Sequence, residues 1–154
     1  MIKAFTDGSA SGKQGPGAWA ACIVDRHEEQ MLHGTAEKAT QHTMELTAVI
    51  QALKYIQFNK KKVEWAEVYT DSQYVVDLPQ RRRRLEINRF VTRGGKPVKN
   101  SALVREFYNL LDQTSVRLIK VESHERAGKS EATDYNRKVD KLSRRLLRKM
   151  RRKG

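Results

Sequence analysis

The fold depends first on an N-terminal stretch, which reads IKAFTDGSASGKQGPGAWAACIVDRHEEQMLHGTA at positions 2–36. The stretch contains three apolar segments, at positions 2–6, 18–24 and 30–36. A glycine-rich turn separates the first two segments, and a short polar connection separates the last two. Three apolar segments joined by short connections predict an antiparallel meander of three strands.

The hydrophobic period changes after this meander. Residues 43–58 carry apolar side chains at helical spacing, which predicts an amphipathic helix. Two more strands are expected, at 67–70 and 116–121. The remaining expected helices are a short one that ends near Pro79, one from Asn100 or Ser101 to about residue 111, and one over about 135–150. Strands that later alternate with helices predict a single α/β domain over 1–154, with a five-stranded mixed sheet flanked by helices.

The charge of the chain indicates a polyanionic partner. Its 154 residues include 31 Lys and Arg against 18 Asp and Glu, a formal net charge of +13. Nucleic acid is the commonest partner of such a domain, and the alternative is a device for solubility. The cations are clustered at positions 81–99 and 137–153. Clustering favours a binding surface over a merely solvated one.

Cysteine use and hydropathy exclude several classes of protein. Cys22 is the single cysteine, so the chain has no internal disulfide and no multi-cysteine metal site. A lone cysteine is typical of a reducing compartment, and we expect a cytoplasmic protein. No apolar run reaches the roughly 18 residues of a membrane span.

Four acidic residues occupy positions that a fold usually keeps apolar. Asp7 and Asp71 each end a predicted strand, and sites in open α/β sheets form at the carboxyl ends of strands. Glu45 lies on the sheet-packing face of the first predicted helix, because the residues three, four and seven positions later are apolar. Asp140 lies beside the apolar stripe of the last helix. A compensating partner is expected for carboxylates in such places.

Each acid has an ordinary structural alternative. Asp7 and Asp71 suit turns, Glu45 suits a helix cap and Asp140 suits the first turn of a helix. If the two strands are neighbours, however, the four acids converge, and like charges so close require a cation. Oxygen ligands select hard ions such as Mg²⁺ or Mn²⁺. An acidic metal site on a basic protein is suited to cutting a phosphodiester bond.

Short motifs follow one another along nearly the whole chain. They are FTDGS at 5–9, GPGAW at 15–19, TMEL at 43–46, YTDSQYV at 69–75, KPVKN at 96–100, VESH at 121–124, and Asn136 with DKL at 140–142. In this order and spacing, the sequence resembles the type 1 ribonuclease H family. The resemblance implies the ribonuclease H-like fold. It also implies endonucleolytic hydrolysis of the RNA strand of RNA–DNA hybrids, leaving 3′-hydroxyl and 5′-phosphate ends.

The resemblance implies roles for individual residues. Two Mg²⁺ ions, with Mn²⁺ as a substitute, would be held by Asp7, Glu45, Asp71 and Asp140. Spacing alone does not separate Asp140 from Asp134. The family pattern selects Asp140, because it has Asn four residues before the acid and Leu two residues after it. His124 would assist proton transfer or product release.

Substrate contacts are also implied. The expected contact residues are Ser9, Thr40, Gln73, Arg81, Arg82, Arg83, Arg84, Lys96 and Lys99. Residues 80–99 match the family's basic protrusion, which grips the DNA strand, although four consecutive arginines depart from its usual version. Gln41 and His42 stand where the family usually has Asn or Gln. The basic C-terminal helix is expected to be a further duplex contact or a partner surface.

Two rival functions remain open. One is a related two-metal nuclease or strand-transfer enzyme that acts on DNA, and the other is a non-catalytic hybrid-binding module. Gly8, Gln73 and the basic protrusion favour the hybrid, and four intact acids favour catalysis. The family suggests a monomer. A start at Met1, close to the first strand, favours a free-standing enzyme over a domain cut from a polyprotein.

Overall fold

The structure, a computed structural model, describes residues 1–59, 65–122 and 130–153. Its elements, in chain order, are β1 (Ile2–Ala10), β2 (Gly17–Asp25), β3 (Glu28–Ala36), α1 (Gln41–Asn59), β4 (Ala66–Thr70), α2 (Gln73–Ile87), α3 (Ser101–Gln113), β5 (Val116–Lys120) and α4 (Glu131–Lys153). None of the helices in these described ranges is long and apolar enough to cross a membrane.

The five strands form one mixed sheet in the order β3-β2-β1-β4-β5. β1 pairs antiparallel with β2, and β2 pairs antiparallel with β3, so the predicted meander is confirmed. β4 pairs parallel with β1 and with β5. The expected α/β fold with a five-stranded mixed sheet is therefore confirmed, and β1 lies at its centre.

Helices cover both faces of this sheet. Alternate residues of a strand point to opposite faces, and neighbours on β1 belong to different clusters. Ala4 packs in the larger apolar cluster, together with α1, α2 and α3. Phe5 packs in a smaller cluster with Val139 of α4. The first helices thus lie on one face, and α4 lies on the other.

The first strand is longer than its apolar segment predicts. β1 continues to Ala10, where it pairs with Gly17 of β2. Asp7 therefore lies inside the strand, opposite Ala20, and not at its end. The prediction that Asp7 ends the strand was wrong, because pairing with β2 keeps the backbone extended beyond the last apolar residue. Asp71 does follow directly after β4, as expected.

The helix after Asp71 does not end near Pro79. α2 continues through this proline to Ile87. A proline inside a helix removes one backbone hydrogen bond. The buried side chains of Leu78 and Leu85 attach α2 to the core on both sides of the proline, and this packing outweighs the loss. The four consecutive arginines are consequently helical.

Two other boundaries differ from expectation. α4 begins at Glu131, before the expected start near residue 135. α3 begins at Ser101 after Asn100, as expected, but the Asn100 side chain makes no capping hydrogen bond. Asn100 instead adopts a left-handed backbone conformation, with φ of 62°. Asparagine tolerates this conformation better than most residues.

Candidate active site

Four separate elements bring the acidic residues to one edge of the sheet. β1 and β4 are parallel neighbours with Phe5 level with Tyr69, so Asp7 and Asp71 follow two residues later side by side. Glu45 is contributed by the first turns of α1, and Asp140 by the middle of α4. Each of the other three carboxylates acts electrostatically on Asp7. The convergence expected from the sequence is therefore present.

A glycine lets α1 approach the sheet at this point. A Cβ built on Gly8 would overlap the backbone of Met44 and Glu45. Only a residue without a side chain allows the start of α1 to lie against β1 at this distance. Gly8 thereby places Glu45 next to Asp7.

Gln41, the first residue of α1, holds the same contact by hydrogen bonds. Its Nε2 donates to the carbonyl oxygen of Gly8 at 2.6 Å, and its Oε1 accepts from the backbone N–H of Ala10 at 3.2 Å. The side chain also hydrogen-bonds to Glu45 and lowers the pKa of that carboxyl. Gln41 therefore joins α1 to the end of β1. Nothing local in the sequence shows this role, because Gly8 and Ala10 are more than 30 residues away from Gln41.

Burial and mutual repulsion disfavour ionisation of the central acids. Asp7 is only 6% exposed. Burial raises the pKa of Asp7 to about 8, and the nearby charges of Asp71, Asp140 and Glu45 contribute to the rise. Burial likewise raises the pKa of Glu45 to about 7, with a contribution from Asp71. The pKa of Asp71 is raised by burial and by Asp140.

Ser143 opposes this effect at Asp7. The Ser143 hydroxyl is fully buried and donates to Asp7 Oδ2 at 2.6 Å, which lowers the pKa of Asp7. Its Oγ also lies 2.9 Å from Ser9 Oγ. The sequence analysis missed this residue as part of the site. The available signal was a serine on the apolar stripe of α4, one turn after Asp140.

Asp140 has a different partner. Its Oδ1 accepts from Arg144 Nε at 3.0 Å, one turn along α4. Within residues 1–59, 65–122 and 130–153, no three His, Cys, Asp or Glu side chains are close enough together to hold a metal ion. Asp7 is hydrogen-bonded to Ser143, and Asp140 is hydrogen-bonded to Arg144. The four carboxylates repel one another, and they lie near one another without forming a closed metal site.

The residues expected to contact substrate differ in their exposure and in their hydrogen-bond partners. Ser9 is buried, and its Oγ lies 2.9 Å from Ser143 Oγ. Its contact with substrate stays a prediction. Thr40 is exposed, and its Oγ1 accepts from the N–H of Thr43 at 3.1 Å at the start of α1. Gln73 is exposed beside Asp71 and donates to Asp77 at 2.7 Å.

The arginines of α2 are not equivalent. Arg81, Arg83 and Arg84 are exposed, as are Lys96 and Lys99 in the following loop. Arg82, in contrast, donates two hydrogen bonds to Asp112 of α3, at 2.6 and 2.7 Å. Arg82 therefore links α2 to α3 through Asp112, a contact that the run of four arginines does not reveal. His124 lies outside the described residues, so its role stays a prediction.

Known proteins resemble this chain over most of its length. The RNase H family model matches residues 1–148. Ribonuclease H of Ehrlichia chaffeensis is 37% identical over 142 residues, 91% of this chain and 90% of the relative. Ribonuclease H of Wolbachia strain wRi is 32% identical over 147 residues, 95% of this chain and 94% of the relative.

Solved structures share the fold. LC9-RNase H1 superposes with a TM-score of 0.75 at 22% identity. The match includes 97% of this chain and 72% of the LC9-RNase H1 chain. LC11-RNase H1, solved in complex with an RNA/DNA hybrid, has a TM-score of 0.68 at 22% identity and covers 97% of this chain and 98% of its own. The sheet order and these likenesses show the ribonuclease H-like fold class. The chain belongs to the RNase H family and is a ribonuclease H enzyme, so the resemblance read from the motifs is confirmed.

Proposed function

We propose that the protein hydrolyses the RNA strand of RNA–DNA hybrids with two divalent metal ions, leaving 5′-phosphate and 3′-hydroxyl ends. The observation that carries the proposal is the convergence of four carboxylates from β1, α1, α4 and the end of β4 at one sheet edge. Family membership supplies the substrate class, since its curated relatives are ribonucleases H.

The donor set fits hard divalent cations. All four side chains offer only oxygen, which Mg²⁺ and Mn²⁺ prefer. Burial raises the pKa of Asp7 to about 8 and that of Glu45 to about 7, and repulsion from neighbouring carboxylates adds to both rises. A cation between the carboxylates would relieve this repulsion. We assign Asp7, Glu45, Asp71 and Asp140 as the ligands of two Mg²⁺ ions, with Mn²⁺ as a substitute.

The bound ions would activate the attacking water and stabilise the leaving 3′ oxygen. The residues of the chain prepare the carboxylates for that task. Ser143 favours the ionised form of Asp7 by donating a hydrogen bond. Gly8 and Gln41 keep Glu45 beside β1. Mg²⁺ binding requires deprotonated ligands, so activity should rise with pH towards about 8.

The proposed substrate surface lies around this edge. Gln73 and Thr40 are exposed beside Asp71 and at the start of α1, where they can contact the duplex. On α2 and its following loop, the proposed phosphate contacts are Arg81, Arg83, Arg84, Lys96 and Lys99. Arg82 is left out of this set because Asp112 and Glu86 hold its guanidinium. The binding should weaken steeply with salt.

The remaining expectations are part of the same proposal. We propose a monomer in which residues 1–154 act as one domain, located in the cytoplasm. The single cysteine, Cys22, is buried and free, which is compatible with a reducing compartment. His124 is proposed to assist proton transfer or product release.

The test compares matched substrates. A 5′-labelled RNA–DNA hybrid, an RNA duplex and a DNA duplex of one sequence are incubated with the protein in Mg²⁺ or in EDTA. We expect cleavage of the hybrid in Mg²⁺ alone, with ends that a 3′-hydroxyl-dependent polymerase extends. Cleavage of the DNA duplex at a similar rate would overturn the hybrid assignment in favour of a DNA nuclease. Hybrid binding without cleavage would favour the binding module.

Matched asparagine variants test the choice of ligands. Asp140→Asn should lower kcat at least ~10³-fold, because a proposed metal ligand is lost. Asp134→Asn, an exposed residue in the first turn of the same helix, is the control and should retain most activity. Similar losses in both variants would contradict the assignment of Asp140.

A further inference from the structure

The last turns of α4 form a strongly cationic surface. Residues 141–153, here called the basic segment, contain eight Lys and Arg residues and no acidic residue. The exposed cations are Lys141, Arg144, Arg145, Arg148, Lys149, Arg151 and Arg152. Leu147 of the segment is buried, and its other apolar residues are half-buried. The positive charge of these seven side chains therefore lies on the outer side of the helix.

The direction of α4 brings the basic segment to the edge that carries the acids. Glu131 contacts Lys3 near the start of β1, Tyr135 stacks on Phe5, and Ser143 contacts Ser9 near its end. α4 therefore runs alongside β1 in the same direction. Ten further residues, about 15 Å of helix, follow Ser143. They continue past the end of β1, at the edge where Asp7 and Asp71 lie.

The basic segment has almost no partner inside the protein. Among the described residues, Arg144 is the one cation of the segment that forms an ion pair, with Asp140. This differs from Lys138, one turn earlier, which pairs with Glu29 at 2.8 Å. Charges held together without counter-charges destabilise a folded protein through mutual repulsion. Such an arrangement is typical of a surface that meets a polyanion.

A groove beside the segment offers space for an extended ligand. It has a volume of about 870 Å³ and runs between α4 and the strands β2 and β3. Lys141, Arg144, Arg145 and Arg148 line it, and Asp140 of the acid cluster lies on the same wall. The groove and the candidate active site thus share Asp140. A phosphate backbone leaving that site has a positively charged path along α4.

We propose that the basic segment binds the phosphate backbone of the hybrid on the opposite side of the sheet from α2. The inference rests on the proposed function, since it assumes the hybrid is held at the acid cluster. Lys141, Arg145, Arg148 and Arg152 follow one another at helical spacing. Their line is about 16 Å long, which corresponds to about five base steps along the axis of a duplex. The duplex is therefore held by two cationic surfaces, one on each face of the sheet.

The test compares two double variants. One removes two positive charges from the basic segment, and the other removes two positive charges from a distant surface. The variant is Arg148→Gln with Arg152→Gln, two exposed residues one turn apart. The control is Arg26→Gln with Arg117→Gln, which removes the same charge from exposed positions at the other end of the sheet. Steady-state cleavage of a hybrid of about 20 base pairs is measured over a range of KCl concentrations.

We expect KM of the segment variant to rise about 10-fold, with kcat within about twofold of the wild type. The slope of log KM against log salt should fall by about 1 to 2, because each lost phosphate contact contributes about 0.9. The control should change KM and slope much less. Equal changes in the two variants would overturn the proposal, because net charge alone would then explain them.

Binding in EDTA separates this proposal from the proposed function. The anisotropy of a labelled hybrid is measured with the wild type and both variants, so no cleavage is needed. If the wild type binds but never cleaves in Mg²⁺, the proposed function fails, and weaker binding by the segment variant alone still supports the role of α4. If the wild type cleaves and both variants bind like it, the role of α4 fails and the nuclease stands.

Discussion

The two faces of the sheet hold the acid cluster by different means. On one face, α1 is attached through the larger apolar cluster, and its backbone lies against Gly8. On the other face, the apolar cluster is smaller, and α4 contacts the end of β1 through the hydroxyls of Ser143 and Ser9. Shape therefore positions Glu45, whereas hydrogen bonding adjusts the ionisation of Asp7. Variants on the α1 face should consequently lose stability and activity, whereas variants on the α4 face should change the pH dependence of activity.

The largest effect is expected on the α1 face. Gly8→Ala places a Cβ into the backbone of Met44 and Glu45, so α1 must move away from β1. We expect a loss of about 2–3 kcal/mol in the free energy of unfolding from overpacking. Activity should fall ~10²-fold or more, because a displaced carboxylate no longer meets its neighbours. Urea unfolding and hybrid cleavage measure the two losses.

A second glycine provides the control. A Cβ on Gly94, in the loop after α2, would find only Thr92 Oγ1, at 3.9 Å. Gly94→Ala should therefore leave both stability and cleavage close to those of the wild type. If Gly8→Ala behaved like Gly94→Ala, the contact between α1 and β1 would not position Glu45.

Asp7, which hydrogen-bonds to Ser143 of α4 and is repelled by Glu45 of α1, provides an intermediate effect. In the metal-free protein its pKa is about 8, well above the value near 3.9 of an unfolded chain. The folded state then binds this proton more tightly, so the stability it contributes is complete below about pH 4 and is lost as pH rises towards about 8. Asp7→Asn removes the titration. The variant should be more stable than the wild type at pH 8.5 by about 2–4 kcal/mol, and about equal near pH 4.

Urea unfolding in EDTA at the two pH values measures this difference. Adding Mg²⁺ at pH 8.5 should stabilise the wild type more than the variant, because the variant lacks one of the four proposed carboxylate ligands. A wild type as stable as Asp7→Asn at pH 8.5 in EDTA would show that the acid cluster is not electrostatically strained.

The smallest effect is expected on the α4 face. Ser143→Ala removes the hydrogen bond that favours ionised Asp7, so the pKa of Asp7 should rise further. The acid limb of the pH–rate profile should move up by about one pH unit. Cleavage should then fall about 10-fold at pH 7 and recover at pH 9.

Two related variants sharpen this result. Ser143→Thr keeps the hydroxyl and should keep the wild-type profile. Ser9→Ala removes a neighbour of Ser143 that does not itself bond to Asp7, so a smaller shift is expected. A uniform loss of activity at every pH in Ser143→Ala would mean that the residue acts through packing and not through ionisation.

Much of this arrangement was predictable from local patterns. Helical spacing placed Glu45 on a sheet-facing surface, and the order of short motifs indicated the family. The errors occurred where distant residues decide the outcome. β2 extends β1 beyond its apolar residues, and packing by Leu78 and Leu85 carries α2 through Pro79. The structure also distinguishes Arg82 from the neighbouring arginines, because its guanidinium donates to Asp112, 30 residues away.

The sequence by itself determined the elements, their apolar faces and the acidic residues, because periodicity and motif spacing are local properties of the chain. Only the tertiary structure decided that Ser143 bonds to Asp7, that Gly8 admits the backbone of α1 and that the basic segment of α4 follows β1 past its end. These contacts join residues more than 30 positions apart. Their formation depends on how two helices pack on opposite faces of one sheet, and no local pattern records that packing.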